Sequence, residues 1–303
     1  MLHSCWKRPK RSICVCGLVA LILVGILLTL KDAQKTSIKM LSNEEHRLAE
    51  YEDLRFGIVD NFTGKIPSDA ELASMTASQL EDLYWSYINT IQILCQKIIR
   101  VGKIEDGGKE VCTDEPFRPG PPCLVYSFGI NYQWDFDEDA ARMFGCEVFS
   151  FDPSMRDNGE TYKHTENITF YMIGLGAKNE ILENQWKMKT LEQIRRDLKH
   201  TERTINILKI DIEGSEWISI PQMVSSGTLR SVNQMQIELH GNGTQHDLKV
   251  LRMLYEDGFR LFMRDRNLNC KYSKSGIVRP RTSCMEVAMI RINSHHRTKM
   301  LNK

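Results

Sequence analysis

The sequence has little of what usually assigns a function directly. It carries 40 Lys and Arg against 39 Asp and Glu, a formal net charge of +1, so it lacks the basic excess that binds nucleic acid. We find no GxxxxGK[ST] phosphate loop, no GxSxG nucleophile turn and no His/Cys cluster with zinc spacing. These absences argue against a P-loop NTPase, a serine hydrolase and a structural zinc protein. We predict no metal ligand and no nucleic-acid partner. With 303 residues, the chain has room for one sizeable domain with appendages.

Long apolar runs are scarce, but one stands near the N-terminus. Residues 13–30 are 18 consecutive positions without a charge, which is long enough for a membrane helix. Basic residues precede the run, so residues 1–12 are predicted to be a cytoplasmic tail and residues 31–303 to face a lumen. A cleaved signal peptide is the alternative, but the run exceeds the usual signal core and no small-x-small cleavage site follows. We predict a single-pass type II membrane protein of the Golgi or endoplasmic reticulum, with residues 13–30 as its signal-anchor.

Two features beyond this run agree with a luminal location. Asn61, Asn167 and Asn242 begin N-x-[ST] glycosylation tripeptides. An even number of cysteines permits disulfides in an oxidising compartment. These cysteines are Cys95, Cys112, Cys123, Cys146, Cys270 and Cys284. Proximity in sequence predicts the pairs Cys270–Cys284 and Cys112–Cys123, while Cys146 fits a packed thiol equally well.

The composition divides the luminal part into four segments. Residues 31–75 are polar and mixed in charge, as in a stem. Residues 76–118 are predicted to be a helical extension, because Ser78 to Glu81 fits a capping box and apolar residues follow at helical spacing as far as Ile99. Its apolar stripe is expected to pack on the next domain, and a coiled-coil seam is the alternative. Residues 119–293 are then the catalytic domain, and residues 294–303 a basic tail.

The stretch from Leu124 to Ser154 organises that domain. Its pattern predicts a strand, a glycine turn, an acidic helix start, a helix and a second strand that ends in an acid. This succession is the opening unit of a nucleotide-binding α/β sheet. A single glycine, Gly129, stands where dinucleotide fingerprints have three. A nucleoside-type ligand is therefore favoured over one bound through a pyrophosphate.

Further strands and helices alternate after this unit. Strands are predicted at residues 168–175, 205–212, 232–240, 260–264 and 287–292, and helices near residues 190–199, from 215, and at 246–257. Alternation of this kind predicts an α/β fold with a mostly parallel sheet and helices on both faces.

Ligands of such sheets lie beyond the carboxyl ends of the strands. Polar or glycine residues collect at these predicted ends. The candidate residues on the cofactor side, which include the neighbours of these positions, are Ser127, Phe128, Gly129, Asp152, Pro153, Ser154 and Gly174. Asp152 is predicted to bind two ribose hydroxyls, because it falls one helix and one strand after Gly129; a helix N-cap is the alternative.

The segment LKIDIEGSEW supplies the other half of the predicted site. Lys209, Asp211 and Glu213 share one parity of their strand, and Glu238 and His240 share a parity on the next. One interpretation is a structural Lys209–Glu238 ion pair beneath the site. The other is that Lys209, Asp211 and His240 surround a reacting hydroxyl, with His240 or Asp211 as general base and Asp211 favoured as a cofactor-side acid.

Two further positions bear on the site. Asp135-x-Asp137 raises the alternative of a glycosyltransferase that holds a metal and a sugar nucleotide. The acidic first turn of a helix is the favoured interpretation, because carboxylates suit a helix N-terminus. Asn242 falls at the predicted mouth of the pocket, so a glycan there is expected to be absent or turned outward.

These segments together resemble a known family. The segments are Cys123–Ile130, Phe136–Asp137, Gly145–Cys146, Phe151–Ser154 and Leu208–Gly214. They resemble the membrane-anchored methyltransferase-like family of the animal secretory pathway, and LKIDIEG is also similar to the FkbM-type O-methyltransferases. The resemblance runs from about residue 76 to residue 292.

The resemblance implies a Rossmann-like class I methyltransferase with a seven-stranded sheet, a final antiparallel strand and S-adenosylmethionine as cofactor. It implies that Gly129 faces the methionine part of the cofactor, Asp152 the ribose and Asp211 the side of methyl transfer. We expect O-methylation of a glycan or glycoprotein hydroxyl. A methyltransferase fold that binds a partner without catalysis is the alternative.

Overall fold

The computed structural model describes residues 65–104, 106–156, 159–267, 269–273 and 281–292. The predicted cytoplasmic tail, the predicted membrane span, Asn61, residues 31–64 of the predicted stem and the predicted basic tail lie outside these residues. None of the helices within the described ranges is long and apolar enough to cross a membrane.

A mixed eight-stranded sheet forms the centre of the fold. With strands numbered in chain order, its spatial order is β12 (Phe259–Asp265), β15 (Met285–Arg291), β11 (Val232–Leu239), β10 (Ile205–Ile210), β3 (Leu124–Phe128), β4 (Glu147–Phe151), β6 (Ile168–Tyr171) and β5 (Thr161–Lys163). The strands from β11 to β6 pair in parallel, whereas β15 is antiparallel to both β11 and β12. The final antiparallel strand is thus confirmed. The predicted count of seven is wrong, because β5 adds an antiparallel edge strand beside β6.

Smaller elements surround this sheet. The helices are α1 (Asp69–Ser74), α2 (Ala77–Ile88), α3 (Asp135–Phe144), α4 (Leu191–Asp197), α5 (Glu216–Ser225) and α6 (Gln245–Glu256). β1 (Ile98–Val101) and β2 (Lys109–Cys112) form a hairpin, and β13 (Tyr272–Ser273) pairs with β14 (Arg281–Thr282). β7 (Gly174–Leu175), β9 (Lys187–Lys189) and β8 (Glu180–Ile181) form a three-stranded sheet. The strand predicted at residues 168–175 is therefore divided between two sheets.

Alternation along the strands distributes the core over both faces of the sheet. Leu124 and Tyr126 join a cluster that includes apolar residues of α4, α5 and α6. Val125 points the other way and packs with Phe136 of α3 and with Val111 of the hairpin. Helices on both faces are confirmed, and the β1–β2 hairpin covers the remainder of the second face.

The N-terminal extension is only partly helical. Its helix α2 begins at a capping box of Thr76 and Gln79, two residues before the predicted one, and ends at Ile88. Ile98 and Ile99 belong to β1, because they pair across the hairpin with Cys112 and Val111. The apolar stripe of α2 packs on the domain, as predicted: Tyr84, Tyr87 and Ile88 share the main core with Leu251 of α6. Helix α1, within the predicted stem, also packs there through Leu72.

Three disulfides link the described cysteines: Cys95–Cys112, Cys123–Cys146 and Cys270–Cys284. The predicted Cys270–Cys284 pair is confirmed. The Cys112–Cys123 pair is wrong, because Cys112 ends β2 with its Cα 6.0 Å from that of Cys95. Cys123 and Cys146 precede the neighbouring strands β3 and β4, and their Cα atoms lie 4.4 Å apart. Cys146 is therefore not a free packed thiol.

Candidate active site

A cavity of about 700 Å³ lies at the carboxyl ends of the central strands. The chain enters the sheet at β3, proceeds to β4 and β6 on one side, and then crosses to β10 and β11 on the other. The gap between β3 and β10 is therefore the switch point at which open α/β sheets bind ligands. The residues that follow these strands line the cavity, and its volume is typical of a small-molecule site.

Asp152 follows β4, and its carboxylate is engaged by the protein itself. Oδ2 accepts hydrogen bonds from the N–H groups of Ile130 (3.0 Å) and Asn131 (2.9 Å). Oδ1 accepts from the N–H (2.8 Å) and the hydroxyl (2.6 Å) of Ser154. Four bonds fill the usual acceptor positions of a carboxylate, so Asp152 orders the loop after β3. Its ribose contact stays a prediction, and it requires a ligand to exchange with one of these donors. The Ser154 hydroxyl is the donor that rotates most freely.

Gly129 is required by the backbone of the protein. Its φ is +78°, and a Cβ built on it would lie 1.6 Å from the carbonyl oxygen of Asp211. Only glycine permits this approach of the two strand ends. The carbonyl oxygen of Gly129 accepts a hydrogen bond from Lys209 Nζ at 2.9 Å. The predicted Lys209–Glu238 ion pair is therefore wrong, because Lys209 holds the glycine turn.

Of the other residues predicted on the cofactor side, all but Ser127 line the cavity. Phe128, Pro153, Ser154 and Gly174 line the cavity. Ser127 does not, because alternation along β3 turns it to the face covered by α3, where its hydroxyl donates to Asp137 at 3.2 Å. Ser127 is therefore a support beneath the cavity.

The Asp135-x-Asp137 pair begins α3, the interpretation favoured from the sequence. Asp135 pairs with Lys103 at 2.9 Å. Asp137 is fully buried and accepts the hydroxyls of Ser127 (3.2 Å) and Ser150 (2.5 Å). The two carboxylates have separate partners and neither lines the cavity. This arrangement removes the basis for a metal-dependent glycosyltransferase.

The buried ammonium group of Lys109 lies among three acidic side chains at the ends of β10, β11 and β15. Lys109 of β2 is 2% exposed, and its Nζ lies 2.5 Å from Glu286, 3.5 Å from Asp211 and 4.0 Å from Glu238. Burial lowers the pKa of Lys109, but the charges of these carboxylates outweigh burial and hold that pKa well above its ordinary value. The hairpin thus supplies the cation that lets three strand-end acids lie together.

Asp211 and Glu238 differ in protonation although they are neighbours. Burial alone would raise the pKa of Asp211, but Lys109 and Lys209 lower it below its ordinary range. Burial raises the pKa of Glu238 to about 8, and the charges of Asp211 and Glu286 add to this effect. The raised pKa of Glu238 favours its protonated form beside the Asp211 carboxylate, whose lowered pKa favours the ionised form.

His240 follows β11 and faces the cavity between carboxylates. Its Nδ1 lies 3.1 Å from Glu216 Oε1, and its Nε2 lies 3.4 Å from Glu213 Oε2. Burial lowers the pKa of His240, but the hydrogen bond and charge of Glu216, together with the charges of Glu238 and Glu213, raise it to about 9. His240 is therefore an imidazolium at neutral pH.

The structure brings Asp211, Glu213 and His240 together, with one nitrogen or oxygen of each within 4.8 Å of the others. Opposite charges account for this approach, since the imidazolium pairs with the Glu213 carboxylate. The expectation that the site needs no metal stays a prediction.

Sequence reasoning missed the residues that flanking loops contribute. Asp106 precedes β2, Asn267 follows β12, and both line the cavity. Asn267 Nδ2 donates to Asp106 (2.9 Å) and to Glu238 (3.0 Å). Gly107-Gly108 between two apolar segments is a hairpin signal, but the helical spacing of the preceding residues obscured it. Lys109 had no signal of its own, because most lysines are exposed.

Two glycosylation tripeptides fall within the described residues. Asn167 and Asn242 are both exposed, and Asn242 does not line the cavity. The outward orientation expected for Asn242 agrees with its position.

A family described as a methyltransferase domain matches residues 70–291, which include every strand of the central sheet. The probable methyltransferase-like protein 24 of Homo sapiens is 23% identical over an alignment of 224 residues, and the match covers 64% of this chain and 60% of that protein. The probable methyltransferase-like protein 24 of Rattus norvegicus is 22% identical over an alignment of 213 residues, and the match covers 61% of this chain and 58% of that protein. The chain thus spans about 60% of the length of these curated relatives.

Proposed function

Because the chain belongs to a methyltransferase-domain family, we propose that it transfers a methyl group from S-adenosylmethionine to a hydroxyl oxygen of a glycan or glycoprotein. We propose further that it does so in the lumen of the Golgi or endoplasmic reticulum, as a single-pass type II membrane protein. The observation that carries the chemical part is the placement of His240, with one ring nitrogen on buried Glu216 and the other facing the cavity.

The cavity has the features that the methyl donor requires. When bound, S-adenosylmethionine supplies an electrophilic methyl group on a positively charged sulfur. Leu175, Trp186, Met188 and Ile212 contribute apolar surface to the cavity lining, which suits a purine. Asp152 and Ser154 are the candidates for the ribose hydroxyls, and the Asp211 carboxylate suits the side with positive charge.

His240 is the group suited to accept the hydroxyl proton. Only the neutral imidazole can accept a proton, so with a pKa of about 9 the fraction of His240 that can act as the base is small at neutral pH and grows as the pH rises. Asp211 is the weaker candidate, because its lowered pKa makes its carboxylate a poor proton acceptor. We therefore propose His240 as general base. The carboxylates of Asp211 and Glu213 stabilise the positive charge of the protonated His240 ring, and Lys209 stabilises the turn at Gly129 by a hydrogen bond.

Three observations support the compartment. Residues 13–30 form an apolar run with basic residues before it. The three disulfides suit an oxidising compartment. Asn167 and Asn242 are exposed acceptors for N-glycosylation.

The proposal is tested by incubating the full chain with radiolabelled S-adenosylmethionine and separate fractions of free glycans, glycoproteins and deglycosylated proteins. We expect label in the first two fractions and little in the third. The label should resist mild alkali, because a methyl ether is not hydrolysed under conditions that cleave a methyl ester. Label that is confined to deglycosylated protein, or lost in alkali, would exclude an ether-forming glycan methyltransferase. Label in no fraction would favour the alternative of a binding module.

A further inference from the structure

Glu216 is a fully buried carboxylate that contacts His240, a residue of the cavity lining. It is the first residue of α5, and its side chain has no exposed surface. Oε1 accepts hydrogen bonds from the His240 backbone N–H at 2.7 Å and from the His240 ring at 3.1 Å. Oε2 accepts from the N–H of Gly214 at 2.9 Å. One carboxylate therefore binds both the ring and the backbone of His240, and anchors the turn between β10 and α5.

We propose that Glu216 is a positioning residue of the methyl-transfer reaction, which holds the His240 ring with Nε2 toward the cavity as the proton acceptor. This inference rests on the proposed function, and it concerns a residue outside the cavity lining. Glu216 does not line the cavity, so its effect on the reaction must pass through His240.

The hydrogen-bond pattern determines which nitrogen accepts the proton. A carboxylate can only accept, so the neutral ring must place its proton on Nδ1 and leave the lone pair on Nε2. In the reaction the O–H bond of the acceptor breaks, the proton moves to Nε2, and the electron pair left on oxygen forms a C–O bond to the methyl carbon. The C–S bond to that carbon breaks, and its electron pair leaves on the sulfur of neutral S-adenosylhomocysteine. The positive ring that results is balanced by the negative charge of Glu216.

The other charged groups that face His240 cannot replace Glu216. Glu213 Oε2 lies 3.4 Å from Nε2, but the Glu213 side chain is 87% exposed and is free to move with solvent. Glu238 Oε1 lies 3.9 Å from Nε2, and Asp211 faces His240 from the end of β10. Glu213 and Glu238 lie near Nε2, the nitrogen that accepts the substrate proton, whereas Glu216 contacts Nδ1. Trp217 Nε1, which donates to the His240 carbonyl at 2.8 Å, adds a second fixed contact from the same helix.

The test compares Glu216→Gln with Glu213→Gln, which removes the same charge from the opposite side of the ring. The His240 pKa is followed by NMR on the full chain, with the resonance assigned by its loss in His240→Gln. In Glu216→Gln we expect that pKa to fall by about one to three pH units. In Glu213→Gln it should fall by less than about 0.7 unit, because the lost pair is exposed.

A second measurement links the residue to the reaction. The pH at which methyl transfer reaches half its maximum should move down in Glu216→Gln by the same amount as the His240 pKa, while the acceptor KM changes little. Since the amide of Gln cannot accept from Gly214 through its NH₂ group, the variant will be less stable, and Glu216→Asp serves as the conservative second variant. Glu216→Asp should restore most of the His240 pKa.

The outcomes separate this inference from the proposed function. An unchanged His240 pKa in folded Glu216→Gln would overturn the positioning role whether or not methyl transfer is detected. A lowered pKa with an unmoved pH profile would likewise overturn it, because Glu216 would then be structural only. A lowered pKa with no methyl transfer by any variant, the unmutated chain included, would refute the proposed function and leave Glu216 as the partner of His240.

Discussion

Replacing Lys109 with Met is expected to destabilise the fold by about 3–5 kcal/mol at pH 7. Lys109 is buried, and its ammonium group contacts Glu286 and faces Asp211 and Glu238. Met has a similar volume, so the packing of the hairpin on the sheet is largely kept. The loss comes from leaving buried carboxylates without their cation. The free energy of unfolding, measured with urea at several pH values, is the quantity to compare.

The pH dependence of the free energy of unfolding identifies the cause of the destabilisation in Lys109→Met. The deficit of Lys109→Met should shrink as pH falls from 8 to 5, because the orphaned carboxyl groups can then be protonated in the folded variant. In the unmutated chain the raised pKa of Lys109 means that its stabilisation is present below the ordinary value of 10.5 and is lost as pH rises through the raised value.

Lys189→Met is the matched control for this prediction. Lys189 forms a partly exposed ion pair with Asp197 at 2.6 Å, so its loss should cost less than about 1 kcal/mol. Equal costs for the two variants, or a Lys109 deficit that does not vary with pH, would contradict the role of Lys109 as the cation of the acidic cluster.

Replacing His240 with Gln is expected to lower the rate of methyl transfer by about 10²–10⁴-fold, the usual contribution of a general base. Gln cannot take up a proton but fills similar space. The affinity for S-adenosylhomocysteine should change little, because His240 is assigned to the acceptor proton, whereas the proposed ribose contacts are Asp152 and Ser154 after β4. In the unmutated chain the rate should rise about tenfold per pH unit toward a plateau near pH 9, as His240 loses its proton. In His240→Gln this rise should disappear.

His246→Gln is the matched control, because His246 is another histidine that contacts helix α5. His246 contacts the carbonyl of Trp217 at 3.0 Å and does not line the cavity, so its replacement should leave the rate within about twofold. A His240→Gln variant that keeps the rate and the pH profile would exclude His240 as the base. The Asp211–Glu238 pair would then be the remaining candidate.

The sheet could be predicted because its signals are local. Apolar strands that end in Gly129, Asp152, Asp211 and His240 are recognisable one at a time, and the parallel arrangement then brings their ends together. Strand parity predicts that Asp211 and His240 lie together, and an oxygen of Asp211 lies within 4.8 Å of a nitrogen of His240. Glu213 lies beyond the end of β10, so its approach to His240 depends on the turn after that strand.

What could not be predicted depends on contacts between distant segments. Lys109 is 177 residues from Glu286 in sequence, and nothing near either residue indicates that they meet. Cys112 pairs with Cys95 and not with nearby Cys123, because strand pairing and not sequence distance decides which Cα atoms are adjacent. The helical spacing up to Ile99 was misleading for the same reason, since the pairing with β2 outweighs local helical preference.

The sequence and the structure assign different partners to the Asp152 carboxylate. The sequence predicts a ribose acceptor, and the structure shows four hydrogen bonds from the protein on the same carboxylate. Both hold if a ribose hydroxyl takes the place of the Ser154 hydroxyl. Asp152→Asn separates the structural role of Asp152 from ribose binding, because the remaining carbonyl oxygen can still accept hydrogen bonds from the N–H groups of Ile130 and Asn131.

Calorimetric titration of S-adenosylhomocysteine into the full chain and into Asp152→Asn tests most directly whether this cavity is a methyl-donor site. We predict one binding site on the unmutated chain and an affinity about 10- to 100-fold lower in Asp152→Asn, the cost of losing a charged hydrogen-bond partner. Asp69→Asn, an exposed aspartate of α1 that does not line the cavity, should bind as the unmutated chain does. No binding to the unmutated chain at millimolar ligand, or equal binding by Asp152→Asn, would contradict the account.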